Sequence, residues 1–296
     1  MTGHRVLLTG GSGQVGRALL ACEDVPFAID APGRDELDLQ DADALRARVL
    51  GDDYAAVVSS GAYTAVDAAE SDVASAWRIN ALAPAVLAAA CRERAIPLVQ
   101  LSTDYVFPGE GERPYRSEDP IFPLSVYGAS KAGGELAVRA SGCRHAILRT
   151  AWVMSATGRN FVRSMLAAGL KQDRLRVVAD QHGSPTSARD LAFVVAQVTQ
   201  QMIANPAQPS GTWHAANRGY ASWHEVAQHV LASAGGALAE TVVDPITTAD
   251  YPTPARRPSN SRLDTSSLSR DFGIEMPGWR DSIGAIVAEL EQGTLS

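Results

Sequence analysis

The sequence predicts an α/β fold: a doubly wound parallel sheet, Rossmann-like in organisation, with a smaller C-terminal lobe. Three observations carry this reading. Short apolar runs of strand length alternate with helical stretches through the first half of the 296 residues. A glycine-rich loop follows the first of these runs. After about residue 150 the alternation loosens into segments punctuated by Pro and Gly, such as PAQPSG (206–211) and YPTPARRPSN (251–260).

The strand-length runs fall at residues 5–9 (RVLLT), 27–30 (FAID), 54–59 (YAAVVS), 96–102 (IPLVQLS) and 145–149 (HAILR). Helical stretches separate them at 14–21, 41–50 and 65–94, the last expected to break near Pro84. Continuously apolar strands joined by helices argue a parallel sheet covered on both faces. Ligands of such sheets bind at the carboxyl ends of the strands. No internal repeat or low-complexity tract interrupts the pattern.

Bulk properties exclude several classes. The net charge is −7 and no basic block stands out, so nucleic acid phosphates are repelled and no nucleic-acid partner is expected. The longest apolar run, 81–91, contains Pro84 and falls well short of the roughly 20 residues that span a bilayer, so no membrane partner is expected. A strand-like run begins at Arg5, which leaves no room for a signal peptide. Cys22, Cys91 and Cys143 are odd in number and scattered, without a CxxC, which suggests neither a disulfide framework nor a zinc site. The expected compartment is the cytoplasm.

The loop LLTGGSGQVG (7–16) places glycines between the first strand and the first helix. Gly11, Gly13 and Gly16 satisfy GxGxxG, whereas Gly10, Gly13 and Gly16 satisfy GxxGxxG. Either set, with Gln14 and Val15, presents backbone N–H groups and a helix N-terminus to a pyrophosphate. At this junction the motif points to a dinucleotide, which assigns residues 1–150 to cofactor binding and 151–296 mainly to a substrate lobe, with segments returning to the first domain. Asp30 ends the second strand, where a carboxylate takes ribose hydroxyls and favours NAD. Arg34 follows, where a guanidinium pairs with a 2′-phosphate and favours NADP. The signals conflict. An arginine folding over the ribose while Asp30 turns aside favours NADPH, with NADH also accepted.

VYGASKAGGE (126–135) sets Tyr127 and Lys131 four apart, on one helix face, in a segment with three glycines. An ammonium about 5 Å from the phenol, at an effective dielectric of about 20, would favour the phenolate by roughly 3 kcal/mol. That is enough to bring the phenol from about 10 toward about 8, where it exchanges a proton near neutrality. The glycines then serve as bare backbone for a closely approaching cofactor or helix. An isolated YxxxK is more simply a solvated pair. Here the fourth strand also ends in Ser102-Thr103-Asp104, at the edge where ligand binds, and Thr103 is placed to hydrogen-bond a reacting carbonyl.

Six segments, SGQVG (12–16), AYTAVDAAES (62–71), STDYVFPG (102–109), VYGASKAGGE, DQHGSPT (180–186) and YPTPARRPSNSRLD (251–264), resemble the dTDP-4-dehydrorhamnose reductases. These are extended short-chain dehydrogenase/reductases with a Ser/Thr, Tyr, Lys triad, and the segments follow the family's order across nearly the whole chain. The resemblance implies reduction of the 4-keto group of dTDP-4-dehydro-L-rhamnose, the last step of dTDP-L-rhamnose synthesis. It implies Tyr127 as proton donor, Lys131 as the group that lowers the phenol's pKa and orients the nicotinamide ribose, and Thr103 as the group polarising the carbonyl. It places Asp38 and Leu39 near the adenine, Ala62, Tyr63 and Thr64 along the cofactor, and Asp104 and Trp152 at the sugar. Tyr63 departs from the smaller or imidazole side chains of the family. Arg256 and Arg257, with Arg262 close by, suit the substrate diphosphate, and Asn160 with Phe161 is a further substrate candidate. Some family members bridge a dimer with magnesium through a carboxylate on the helix after the SPT segment. Arg189 stands at that position beside Asp190, so no metal is expected, and the assembly is a monomer or a homodimer.

HEVAQH (224–229) resembles a zinc motif but spaces its histidines five apart, about 140° around a helix, so no metal site is read there. Trp213, Trp223 and Trp279 read as packing residues. Two other readings of the scaffold remain: a nucleotide-sugar dehydratase or epimerase, and a non-catalytic NADP-binding regulatory subunit. Dehydratases of the superfamily follow the threonine with an Asp-Glu pair, whereas Asp104 here is followed by Tyr105.

Overall fold

The computed structural model describes residues 3–294. Four βα steps and a fifth strand build the first half: β1 (Arg5–Thr9), α1 (Gln14–Leu20), β2 (Ala28–Asp30), α2 (Ala42–Gly51), β3 (Ala56–Ser59), α3 (Val66–Ala69), α4 (Val73–Trp77), a π-helical turn at Arg78–Leu82, α5 (Ala83–Glu93), β4 (Leu98–Thr103), α6 (Val126–Ser141) and β5 (His145–Thr150). The second half contributes β6 (Val153–Met154), α7 (Phe161–Gly169), β7 (Arg174–Val178), β8 (His182–Gly183), β9 (Thr186–Ser187), α8 (Ala188–Ala204), β10 (Gly211–His214), β11 (Ala221–Ser222) and α9 (Trp223–Ala234). It ends with α10 (Gly236–Ala239), β12 (Val242–Ile246), β13 (Asn260–Ser261), α11 (Ser266–Phe272) and α12 (Trp279–Thr294).

The main sheet has six parallel strands in the order β10-β5-β4-β3-β1-β2. Its strand order reverses at β1, whose neighbours β2 and β3 lie on opposite sides, so the crevice at the carboxyl ends opens beside β1 and β3. Successive strand residues feed opposite faces. Val6, Leu8, Val58, Val99 and Leu148 join one core with Leu191, Val195 and Val198 of α8. Leu7, Val57, Leu98 and Ile147 join another with Leu45, Leu87, Cys91 and Val138 of α2, α5 and α6. Both faces are buried, which is why these strands read as unbroken apolar runs. β10, α8 and α11 come from beyond residue 150 yet pack on this sheet. A separate two-stranded sheet, β12 with β7, packs with α9 around Leu175, Val177 and Leu231.

The 65–94 region differs from expectation in one respect. Its break lies between α3 and α4, not at Pro84, which sits in the first turn of α5. Proline has no N–H to give the carbonyl four residues back, and the π-helical turn before it absorbs the mismatch. The freed Asn80 carbonyl faces α6, where Gly134 meets it. The helical run Val73–Glu93 is long and apolar enough, by length and composition, to cross a membrane. In the fold it packs between α2 and α6.

Candidate active site

The glycine loop is bare because its surroundings leave no room. Gly10 has a φ of +78°, and a Cβ there would strike the Gly61 backbone; a Cβ on Gly16 would strike the Gly10 carbonyl. A Cβ on Gly11 would meet the Ala31 methyl at 3.0 Å and Leu20 at 3.5 Å, and one on Gly13 the Gly10 carbonyl at 3.3 Å, so Gly10 and Gly16 are the positions where backbone leaves no room. The Gly13 N–H donates to the Gly10 carbonyl at 3.0 Å. The first turn of α1 carries no side-chain cap, leaving its N–H groups available to an anion. Val15 packs into the core below. Gln14 donates to the Val153 carbonyl at 3.4 Å and accepts from Ser155 at 2.8 Å, tying the loop to the second half.

At the adenosine end, Asp30 is engaged by protein partners. Its carboxylate accepts from Arg48 at 2.7 Å, from Arg5 at 3.0 Å and from the Tyr54 hydroxyl. Burial pushes its pKa up, but the phenol and the guanidiniums outweigh it and hold the group below the ordinary carboxylate range. These partners suit the reading in which Asp30 turns aside from the ribose. Arg34 is exposed instead, its side chain 74% accessible and paired loosely with Asp38 at 3.7 Å. Leu39 packs against Gly61 across the crevice. Ala62, Tyr63 and Thr64 follow β3 at the same edge, and the Tyr63 peptide is held at both its N–H and its carbonyl by Asn80, at 2.8 and 3.0 Å.

Helix α6 starts at Ser125, whose hydroxyl accepts from the Gly128 N–H at 3.1 Å, and lies along β4. Tyr127 is 9% exposed and Lys131 5%. The ammonium of Lys131 donates to the Leu101 carbonyl at 2.7 Å. Thr103, at the end of β4, lies beside the Tyr127 phenol. Thr103 and Tyr127 thus meet at the end of β4, and Lys131, one turn further along α6, reaches the same strand two residues earlier. The expected depression of the phenol is overturned: burial raises its pKa well above 10, with only the Thr103 hydroxyl opposing. The Lys131 amine is pushed down by burial to about 8, against the pull of Glu135. Desolvation, which sequence spacing does not show, dominates the Coulomb attraction estimated from it.

The glycines of this helix admit backbone rather than ligand. A Cβ on Gly128 would strike the Tyr105 carbonyl, and one on Gly134 the Asn80 carbonyl. Gly133 lies against the Trp77 ring, which a Cβ would approach to 2.7 Å. Asn80 also donates to Ser130 at 3.0 Å, so the π-helical turn fixes α6 and the Tyr63 loop together.

Asp104 is 4% exposed; its Oδ1 accepts from Thr103 at 2.9 Å and its Oδ2 has no hydrogen-bond partner. Burial raises its pKa to about 6, opposed by the neighbouring Ser261 and Thr103 hydroxyls. The folded group thus holds its proton to higher pH than an unfolded aspartate at about 3.9. Folding stability accordingly falls as pH rises from about 4 to about 6, by roughly 3 kcal/mol. Asp104→Asn cannot ionise. It is expected to melt several degrees above wild type at pH 7 and together with it at pH 4, as read by thermal melts at both pH values.

In the second half, Trp152 has a φ of +47° and stacks on Trp223 at 3.6 Å between ring centroids. Gly183 leaves the space its ring fills, and Phe161 closes on Trp223 at 4.6 Å. Trp223, read from sequence as packing, therefore sets the Trp152 ring. Asn160 is a structural residue: it caps α7 by accepting from the Arg163 N–H at 3.3 Å and donates to the Ser155 carbonyl at 2.7 Å. Arg257 is committed to Asp67 at 2.6 Å and to the Tyr105 hydroxyl at 3.1 Å. Arg256 is exposed, 3.6 Å from Glu110, and Arg262 bonds Asn260 at 2.9 Å. Of the three, Arg256 is the least constrained.

Residues 4–292 match the sequence family described as the RmlD substrate binding domain. The chain belongs to that family. A dTDP-4-dehydrorhamnose reductase of Burkholderia thailandensis is 42% identical over 295 residues, covering 97% of this chain and 99% of its own length. One from Streptomyces griseus is 43% identical over 282 residues, covering 94% and 91%. Among solved structures, a dTDP-4-dehydrorhamnose reductase from Clostridium acetobutylicum superposes with a TM-score of 0.90 at 34% identity, covering 97% of this chain and 99% of that one. The Bacillus anthracis dTDP-4-dehydrorhamnose reductase, solved in complex with NADP, gives 0.89 at 31% identity, covering 97% and 100%.

Within the family's framework, Arg189 is exposed, and the neighbouring Asp190 carboxylate is taken up by Asn217 at 2.7 Å and Ser282 at 2.5 Å. Among the described residues no group of three or more His, Cys, Asp or Glu is arranged to hold a metal ion. Sequence reasoning missed Asn80, Tyr105 and Asp67. Pro84, four residues after Asn80, was the available signal for a freed carbonyl; nothing local marks the other two.

Proposed function

We propose that the protein reduces the 4-keto group of dTDP-4-dehydro-L-rhamnose to the alcohol of dTDP-L-rhamnose, using NADPH and accepting NADH. The observation that carries this is the seating of Tyr127 beside Thr103, and of Lys131 on the Leu101 carbonyl, along the carboxyl end of β4, in a chain whose relatives over 97% of its length bear the reductase name. The bare loop at Gly10 and Gly16, with the uncapped start of α1, fits a dinucleotide pyrophosphate. When bound, the reduced nicotinamide supplies the hydride to the carbonyl carbon. Tyr127 gives its phenolic proton to the carbonyl oxygen. Its raised pKa keeps that proton in place at neutral pH, the state a reduction requires. Lys131, still mostly charged at neutral pH, holds the nicotinamide ribose and the β4 backbone. Thr103 positions the carbonyl oxygen beside the phenol. Trp152 and Asp104 line the sugar, and Arg256 receives the diphosphate. The first half holds the cofactor and the lobe around β7, α7 and α9 the nucleotide sugar.

The dehydratase reading lacks its second carboxylate, since Tyr105 follows Asp104 and spends its hydroxyl on Arg257. The deciding experiment is turnover of dTDP-4-dehydro-L-rhamnose with NADPH and with NADH, followed by loss of reduced-nicotinamide absorbance. Decay with formation of the 4-hydroxy sugar supports the reading; tight cofactor binding without decay would establish the regulatory alternative. Because Asp30 is held by Arg48 and Arg34 is exposed with only a long pairing to Asp38, Arg34→Ala is expected to raise KM for NADPH about tenfold and to leave KM for NADH within twofold, measured with both cofactors. Equal effects would show that Arg34 does not read the 2′-phosphate.

A further inference from the structure

Three consecutive residues of β4 meet three side chains of α6. Leu101 accepts from Lys131 at 2.7 Å, Ser102 donates to Glu135 at 2.6 Å, and Thr103 lies beside Tyr127. Glu135 is the member that the reaction itself does not use. Its carboxylate is fully buried and accepts four hydrogen bonds: from Ser102, from Arg149 Nε at 2.8 Å and Nη2 at 2.7 Å, and from Arg139 at 2.9 Å. Arg149 is itself 1% exposed, donates to the Ser117 carbonyl at 3.0 Å and lies 4.8 Å over the Phe107 ring.

We propose that Glu135 is a positioning residue for the reaction: pinned by Arg149, its carboxylate registers the catalytic helix on β4 and keeps Lys131 in the ammonium form. This rests on Tyr127 and Lys131 being the reacting pair. Lys131 and Arg149 are both buried cations; Glu135 hydrogen-bonds Arg149, while Lys131 is bonded to the Leu101 carbonyl beside the Ser102 that Glu135 accepts from. Glu135 is one helical turn after Lys131, on the same face, and is the charge that acts on it, against desolvation. From β4, Lys131 meets only the uncharged Leu101 carbonyl, while Asp104 and Tyr105, in the turn after β4, act on Tyr127 instead. Around Glu135 stand Ser102 from β4, Arg149 from β5, Arg139 from its own helix and His214 from β10, the last kept neutral by burial and by Arg149. Burial pushes the Glu135 pKa up. Arg149 foremost, with Ser102 and Arg139, outweighs burial and holds the carboxylate below its ordinary range.

The composition makes the test direct. Of 26 Lys and Arg residues only two are lysine, Lys131 and the exposed Lys171. Full-length protein grown with isotope-labelled lysine therefore shows two side-chain resonances, and the solvent-facing one serves as reference. In Glu135→Gln, the Lys131 midpoint is expected to fall by about one pH unit or more, while Glu135→Asp, which keeps the charge, stays within about half a unit. The alkaline limb of kcat/KM for NADPH should move by the same amount, with KM rising more than kcat falls at pH 6. If Glu135→Gln does not fold, Glu135→Gln/Arg149→Gln leaves no buried guanidinium without its carboxylate and is read in the same way. An unmoved Lys131 midpoint in a folded variant overturns the proposal and leaves Glu135 a brace. Lys131→Met separates the two readings: full activity in that variant overturns the assignment of the reacting pair, whatever Glu135 does to the resonance.

Discussion

Tyr127→Phe is expected to lower kcat by about 10²–10⁴-fold while leaving NADPH affinity within a few-fold. The substitution removes one oxygen from a ring whose packing stays intact. The ring meets Tyr105 edge-on at 5.4 Å between centroids and joins Ala69 and Ala76 in a small cluster. The hydroxyl is buried and its hydrogen-bond partner is the neutral Thr103, so its loss leaves no ion pair broken, and the melting temperature should change little. Steady-state turnover, cofactor titration and a thermal melt separate the outcomes. Near-normal turnover would refute Tyr127 as the proton donor, and loss of cofactor binding alongside turnover would indicate a collapsed helix instead.

Gly134→Ala is expected to disable the enzyme from outside the reacting centre. Its Cβ collides with the Asn80 carbonyl, a backbone atom held in the π-helical turn and unable to swing away like a side chain. Overpacking of this kind costs about 1–3 kcal/mol. The larger effect is on rate. Helix α6 must retreat from the turn, carrying Tyr127 and Lys131 with it, and a displacement near 1 Å lowers turnover by about 10²-fold. Denaturant midpoints and kcat measured together test this. Gly51→Ala, where an added methyl meets nothing, is the control and should leave both unchanged.

The alternation of apolar runs located all of the first five strands to within two residues at either end, because both faces of the sheet are covered and each run is continuous. Tyr127, Lys131 and Thr103 were legible because helical spacing and strand order fix their neighbours. What stayed hidden depends on partners distant in sequence. Asp30 finds Arg5, Arg48 and Tyr54, and Arg257 finds Asp67 from 190 positions away. Asn160 looked like a substrate contact because a helix cap and a sugar contact ask for the same side chain. The protonation of Tyr127 was misjudged because spacing gives the distance to a charge but not the water that has been excluded. β10 was missed because GTWH is only four residues long and lacks a following crossover helix.

The place of β10 bears on how the molecule is made. Its partner β5 ends at Thr150, but the strand that completes that side of the sheet begins at Gly211, and the helix covering the α1 face begins at Ala188. A growing polypeptide that has emerged only through its fifth strand carries an open hydrogen-bonding margin and a bare patch of Val6, Leu8, Val99 and Leu148. The nucleotide half is thus not an autonomous folding unit. It closes only after some two hundred residues have left the ribosome, so an N-terminal fragment cut at the apparent boundary would be sticky rather than functional.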